Sequence, residues 1–216
     1  MIVIYKKAEA VFAYFGLVAV VFQIFAALYI FTSDASLFQE EYTFSNVATI
    51  DSLRIGFVLL LNLSAISFLI FLTKSFSKKY SINNIAVWVS MLSFVALVSL
   101  PYDLGNSSNV LQHKILGVLM YTAFLWGVFS IAKNNKHLAL RKYSYFCFIA
   151  NLILFPQFLI ISPQSYAFLV WEICVVIVNQ AWIVFISMIL LKDKALALRE
   201  SNTSTPVARH KIKNPR

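Results

Sequence analysis

The stretch "IAVWVSMLSFVALVSLPYDLGNSSNVLQHKILGVLMYTAFLWGVFSIA", residues 85–132, holds two apolar runs on either side of a polar hinge. A helix needs about 20 apolar residues to cross a hydrocarbon core about 30 Å thick, and the runs 85–101 and 115–132 approach that length. Between them, Pro101 lacks the N–H that would continue a helix. Gly105 and Asn106 then supply turn chemistry. The alternating pattern of a membrane barrel strand is absent. Lipid offers no partner to a bare backbone, so helices are the spanning element that remains. The stretch therefore reads as two membrane helices joined by a sharp turn.

The same pattern extends in both directions. Apolar runs occur at about 10–31, 55–73, 85–101, 115–132, 144–162 and 167–191. Over 216 residues the chain is 60% hydrophobic and 12% charged, with a mean hydropathy of +0.78. Soluble domains carry about 45–50% apolar and about 25% charged residues, so apolar side chains have displaced charge here. Lys6 and Lys7 precede the first run, but that run is longer than the apolar core of a signal peptide and no convincing cleavage site follows. It reads as a retained anchor helix. The expected fold is all-α, a bundle of six transmembrane helices within residues 1–192. Residues 193–216 form a basic tail that reads as disordered.

Charge placement predicts the orientation. Of the 18 Lys and Arg residues, only Arg54 and Lys114 fall on one side of the bilayer. That side also holds Asp34, Glu40, Glu41, Asp51 and Asp103. The remaining basic residues lie at the N-terminus, in the loops after the second and fourth runs, and in the tail. The positive-inside rule then puts both termini in the cytoplasm of a cell-membrane protein. The net charge of +9 is spread among topogenic loops rather than gathered on one face, which argues against nucleic acid and for a lipid bilayer as the partner surface.

Topology gives the polar hinge a place. Asp103 falls at the exterior surface, His113 and Lys114 in the first turn of the fourth helix, and Arg54 at the start of the second. Pro101 and Gly105 fold the loop back and bring Asp103 towards His113. Glu172 is the one acid well inside a span, roughly 7 Å below the exterior edge at 1.5 Å per residue. An ionisable group there is costly and needs a partner, with Lys114 the expected one. Arg54, Asp103, His113, Lys114 and Glu172 thus form a candidate exterior polar site. The same groups could serve only as helix caps and interfacial ion pairs. Gln23, Asn62, Asn151, Gln157, Asn179 and Gln180 lie deeper and read as hydrogen-bonding glue between helices. Tyr29, Tyr102, Tyr166 and Trp171 suit an aromatic belt.

Several chemistries find no support. The histidines are His113, His137 and His210, and the last two belong to the cytoplasmic side, so no metal site and no cofactor are expected. No HExxH, GxSxG, P-loop or dinucleotide fingerprint occurs, and no catalytic residue is assigned. Cys147 and Cys174 read as small buried hydrophobes. Three classes of function stay open. The leading one is a non-enzymatic protein that binds a lipid or small solute at the exterior pocket. A membrane enzyme acting on a lipid headgroup is the second. The third is an accessory protein whose loop 32–54 and bundle face meet another membrane protein or a second copy of the chain.

The segment "LPYDLGNSSNVLQHKILGVLMYTAFLWG", residues 100–127, resembles the middle of a six-helix membrane family known as domain of unknown function, number 998. That family is distantly similar in plan to the DRAM-like membrane proteins. Its hallmark is a Phe-Pro-x-Asp at the outer end of helix 3 and a His opening helix 4. Pro101, Asp103 and His113 occupy those places, with Leu100 where the Phe would stand. Phe44-Ser45 echoes the family's Ile-Ser motif, and Glu172 stands where a basic residue is often found. The resemblance implies six helices and an exterior Asp/His pair, and it implies no activity.

Overall fold

The computed structural model describes residues 2–33, 50–76, 84–100, 105–161 and 166–203. Every secondary-structure element among them is helical: α1 (Ile2–Ser33), α2 (Asp51–Ile70), α3 (Asn84–Ser99), α4 (Ser107–Asn134), α5 (Leu138–Ile160) and α6 (Tyr166–Thr203). A wide π-helical turn, Phe71–Phe76, continues α2. Five segments are long and apolar enough to cross a membrane: Val11–Ser33, Asp51–Lys74, Ser107–Asn134, Leu138–Gln157 and Ala167–Asp193. The sixth, Ile85–Ser99, is shorter.

The helices form a closed ring in chain order. Each packs against the next, and α6 returns to pack against α1. Close approach comes from small residues on the inner faces. Ala13, Ala19 and Ala26 of α1 are essentially fully buried, as are Ser64 and Ala65 of α2. A Cβ on Gly16 would overlap the Ser187 hydroxyl of α6, and one on Gly56 would lie 2.7 Å from the Tyr29 ring. Inside lipid there is little hydrophobic gain from pairing helices, so this fit of small side chains and the hydrogen bonds across it hold the ring together. One such bond runs from Ser64 Oγ to the Ala19 carbonyl at 2.8 Å.

The radial pattern is that of a membrane protein. Ser64, Ser90, Ser144, Asn151 and Ser187 are buried, while Phe25, Ile55, Phe146, Ile153 and Ile177 are exposed. An apolar exterior of this extent would be untenable in water. It suits acyl chains.

Two helix boundaries and the burial of one cysteine differ from the sequence reading. Helix α4 begins at Ser107 rather than near 115, because Asn106 caps it. The Asn106 side chain accepts hydrogen bonds from the backbone N–H groups of Ser108 (3.1 Å) and Asn109 (3.3 Å). A run of Asn and Ser looks like a loop in composition, yet it is also what an N-cap requires. His113 and Lys114 consequently lie almost two turns inside the helix rather than in its first turn. Helix α6 runs on through Thr203, past the boundary at 192. Its 38 residues reach about 57 Å, well beyond a hydrocarbon core of about 30 Å. Finally, Cys147 is buried as expected, but Cys174 is exposed on the outside of the ring.

The link between α4 and α5 is only residues 135–137. His137 caps α5, with Nδ1 accepting from the Leu140 N–H at 3.3 Å. Its other ring nitrogen, Nε2, therefore carries the proton in the neutral ring and faces the Asp193 carboxylate at 4.0 Å. This contact ties the α4–α5 turn to the late part of α6.

Candidate functional site

Within the ring lies a half-open cavity of about 230 Å³ to which all six helices contribute. Gln23 and Ala27 come from the C-terminal half of α1, Phe57 from the N-terminal half of α2, and Leu97 from the end of α3. His113 comes from the early part of α4, Phe155 from late α5, and Glu172 from early α6. The lining thus alternates between helix ends and helix beginnings. That alternation marks an up-and-down ring, with the cavity at the end where α3 connects to α4.

A second chamber of about 170 Å³ lies deeper. The two share walls at Gln23, Phe94, Met120, Tyr121, Val175 and Val176. Ser64, Ser90, Asn179 and Gln180 line the deeper one. Among the described residues, the Ser90 hydroxyl and the Gln180 amide oxygen have no hydrogen-bond partner. Both chambers are mostly apolar, and the lower one adds several uncharged polar side chains to its wall.

A carboxylic acid and an imidazole line the upper chamber. Glu172 is 9% exposed and His113 is 7% exposed. The His113 ring hydrogen-bonds the backbone of Leu100, which fastens α4 to the end of α3. Of the five residues expected to form the site, the structure brings these two into one cavity. Arg54 is half-buried and Lys114 is exposed, and neither lines the cavity. Lys114, the cation expected to pair with Glu172, is not among the residues that line the chamber. Asp103 and Pro101 lie outside the described residues, and so does the Asp103–His113 pairing. Gly105 forms the exposed turn immediately before the Asn106 cap.

Aromatic groups complete the walls. Phe168 and Trp171 of α6 pack at 5.0 Å between ring centroids, and Tyr121 of α4 stacks on Phe155 of α5 at 4.9 Å. Trp171 does more than sit in an interfacial belt, because its indole N–H donates to the Leu154 carbonyl at 2.7 Å. Leu154 lies two residues before Pro156, the proline inside α5. Backbone groups near a proline in a membrane helix are commonly satisfied by a neighbouring helix in this way.

Below the cavity, Asn151 is fully buried and joins three helices. Its Nδ2 donates to the Cys147 carbonyl (2.8 Å) and to Asn179 Oδ1 on α6 (2.9 Å), and its Oδ1 accepts from the Tyr121 hydroxyl on α4 (2.8 Å). Asn151 and Asn179 act as the glue expected of them. Tyr121 was legible only in retrospect, from its spacing: His113, Gly117, Met120 and Tyr121 fall on one face of α4. On α6, Phe168, Trp171, Glu172, Val175, Val176 and Asn179 repeat the same 3–4 rhythm. Among the described residues no three His, Cys, Asp or Glu side chains converge as metal ligands would. Compared with protein-family models, curated proteins and solved structures, the chain has no match.

Proposed function

We propose that the chain is a six-span protein of the cell membrane, with both termini in the cytoplasm, that binds a small amphiphile or lipid in the cavity within its ring. The apolar upper chamber, lined by all six helices, carries this reading. Ligand sites are concave and mostly apolar, with a few convergent polar groups. A chamber bounded by all six helices, with Glu172, His113 and Tyr121 among its few polar groups, fits that description. The upper chamber alone exceeds the roughly 150 Å³ apolar cavity known to hold benzene. Helix α3, with 16 residues, is about 24 Å long, and a bilayer thins locally to accommodate a short span. The basic residues cluster at the opposite end of the ring from the cavity, which supports an opening towards the exterior. The likeness of residues 100–127 to the six-helix family belongs to the same reading.

Native mass spectrometry of the full chain, released from a maltoside detergent, tests this proposal. A retained mass of lipid or amphiphile size is expected on the wild type. It should be lost in Met120→Trp or Ala27→Trp, which push an indole into the chamber. A wild type that retains nothing, or filled variants that retain the same mass, would end the proposal.

A further inference from the structure

We infer that the deeper chamber seats the ligand's head group, and that this head is neutral and hydrogen-bonding: a hydroxyl or primary amide on an apolar body. This rests on the reading that the cavity binds a small molecule, and it names the class and the place of the polar end.

Ser90 of α3 is 2% exposed, and Gln180 of α6 presents a buried amide oxygen. Both residues line the deeper chamber. Among the described residues, neither Ser90 Oγ nor Gln180 Oε1 has a hydrogen-bond partner. A serine inside a helix can satisfy itself by donating to the carbonyl four residues back. Ser99, Ser130 and Ser187 do so, at 2.7, 2.8 and 2.7 Å. Ser90 does not take that route, and its hydroxyl is left for a group in the chamber. Asn179, beside Gln180, makes the contrast on α6, because its oxygen already accepts from Asn151 at 2.9 Å. Buried polar atoms without a partner are rare in folded proteins, and a ligand that pairs with them recovers what their burial cost.

The wall of this chamber selects against charge. Its described lining residues include no Lys, Arg, His, Asp or Glu. An ionic head there would give up its water and find no counter-charge. Gln180 Oε1 needs a donor, while the Ser90 hydroxyl can donate or accept. A hydroxyl does both through one oxygen, and a primary amide does both through two atoms. At about 170 Å³ the chamber exceeds the roughly 150 Å³ cavity known to hold benzene, so a short alcohol fits within it. The upper chamber adjoins it across their shared walls, and its largely apolar lining suits a longer body.

Four probes separate the possibilities: hexan-1-ol, its isomer methyl pentyl ether, hexylammonium and hexyl sulfate. The ether keeps the atoms of the alcohol but cannot donate. Each is titrated by calorimetry onto the full chain in a maltoside detergent, with detergent alone as the blank. The alcohol should bind about fivefold or more tighter than the ether, and about tenfold or more tighter than either ion. Gln180→Leu should remove the advantage of the alcohol over the ether. Ser90→Ala should weaken the alcohol about fivefold and leave the thermal midpoint of the ligand-free chain unchanged or raised, since it deletes a hydroxyl that no protein group uses. An ether or an ion binding as tightly as the alcohol would overturn the inference. So would the full preference for alcohol in a folded Gln180→Leu protein, or a lowered midpoint for ligand-free Ser90→Ala. Each of these results leaves a cavity that binds small molecules by another rule. No binding of any probe to the folded chain would remove both this claim and the small-molecule reading beneath it.

Discussion

The Tyr121 hydroxyl donates to the Asn151 side-chain oxygen across the α4–α5 interface at 2.8 Å, and Asn151 passes the connection to Asn179 on α6 at 2.9 Å. Three helices around the cavity are thereby fixed to one another by a single buried amide. Removing that amide leaves the Tyr121 hydroxyl only its longer bond to the residue 151 carbonyl (3.2 Å) and Asn179 Oδ1 only the Cys147 thiol (3.8 Å). Asn151→Leu should lower stability by about 1–3 kcal/mol, read as a lower midpoint of thermal unfolding in detergent. Tyr121→Phe removes one donor and should cost about 0.5–1 kcal/mol, in the usual range for one hydrogen bond between membrane helices. Equal losses for the two variants would mean that Asn151 is not the hub.

What could be read from the chain was position along each helix. Apolar run length is a one-dimensional signal, so the helices and their order were legible. Depth is equally linear at 1.5 Å per residue, and that is how Glu172 and His113 stood out. Direction around a helix is harder. Lys114 follows His113 by about 100°, enough to turn one side chain into the cavity and its neighbour out of it. Grouping residues by depth alone collected Arg54 and Lys114 with two groups whose cavity they do not line. Tyr121 was passed over, and Trp171 read only as part of an aromatic belt, for a different reason. A lone aromatic in a greasy chain carries no signal until its partner, Asn151 or the Leu154 carbonyl, is brought beside it.

Gly16 should tolerate almost nothing. An added Cβ would overlap Ser187 Oγ and lie 3.2 Å from the Phe71 ring, which is itself fully buried. Gly16→Ala should cost about 1–3 kcal/mol, in the range of overpacked cores. The overlap involves one hydroxyl, so Ser187→Ala in the same chain should recover part of the loss. A double variant no more stable than Gly16→Ala alone would place the strain elsewhere, against Phe71.

Gly127 predicts the opposite sign. An added Cβ there meets nothing within 4 Å, and the residue borders a small void of about 20 Å³. Glycine inside a helix is less favourable than alanine by about 0.5–1 kcal/mol. Gly127→Ala should therefore raise the thermal midpoint, while Gly16→Ala lowers it. The pair separates packing from helix propensity, since both glycines sit in the interior of long helices. A fall in stability for Gly127→Ala would show that the α3–α4 contact is tighter than the void indicates.

Orientation is tested by labelling single cysteines in a chain whose Cys147 and Cys174 have been replaced by alanine. A ring of six alternating helices puts residues 50–54 and 105–110 at the cavity end, and 74–76 and 133–142 at the basic end. The positive-inside rule assigns the basic end to the cytoplasm. Positions in the first two segments should react with a membrane-impermeant maleimide added to intact cells, and those in the last two only after lysis. Reversing the charge bias supplies a second reading. Neutralising Lys133, Lys136, Arg141 and Lys142 together should raise the fraction of inverted molecules, because each basic residue near a span end biases insertion independently. Labelling of 133–142 from outside in the unmodified chain would invert the whole assignment. The cavity would then open to the cytoplasm, and its ligand would have to come from the inner leaflet or the cell interior.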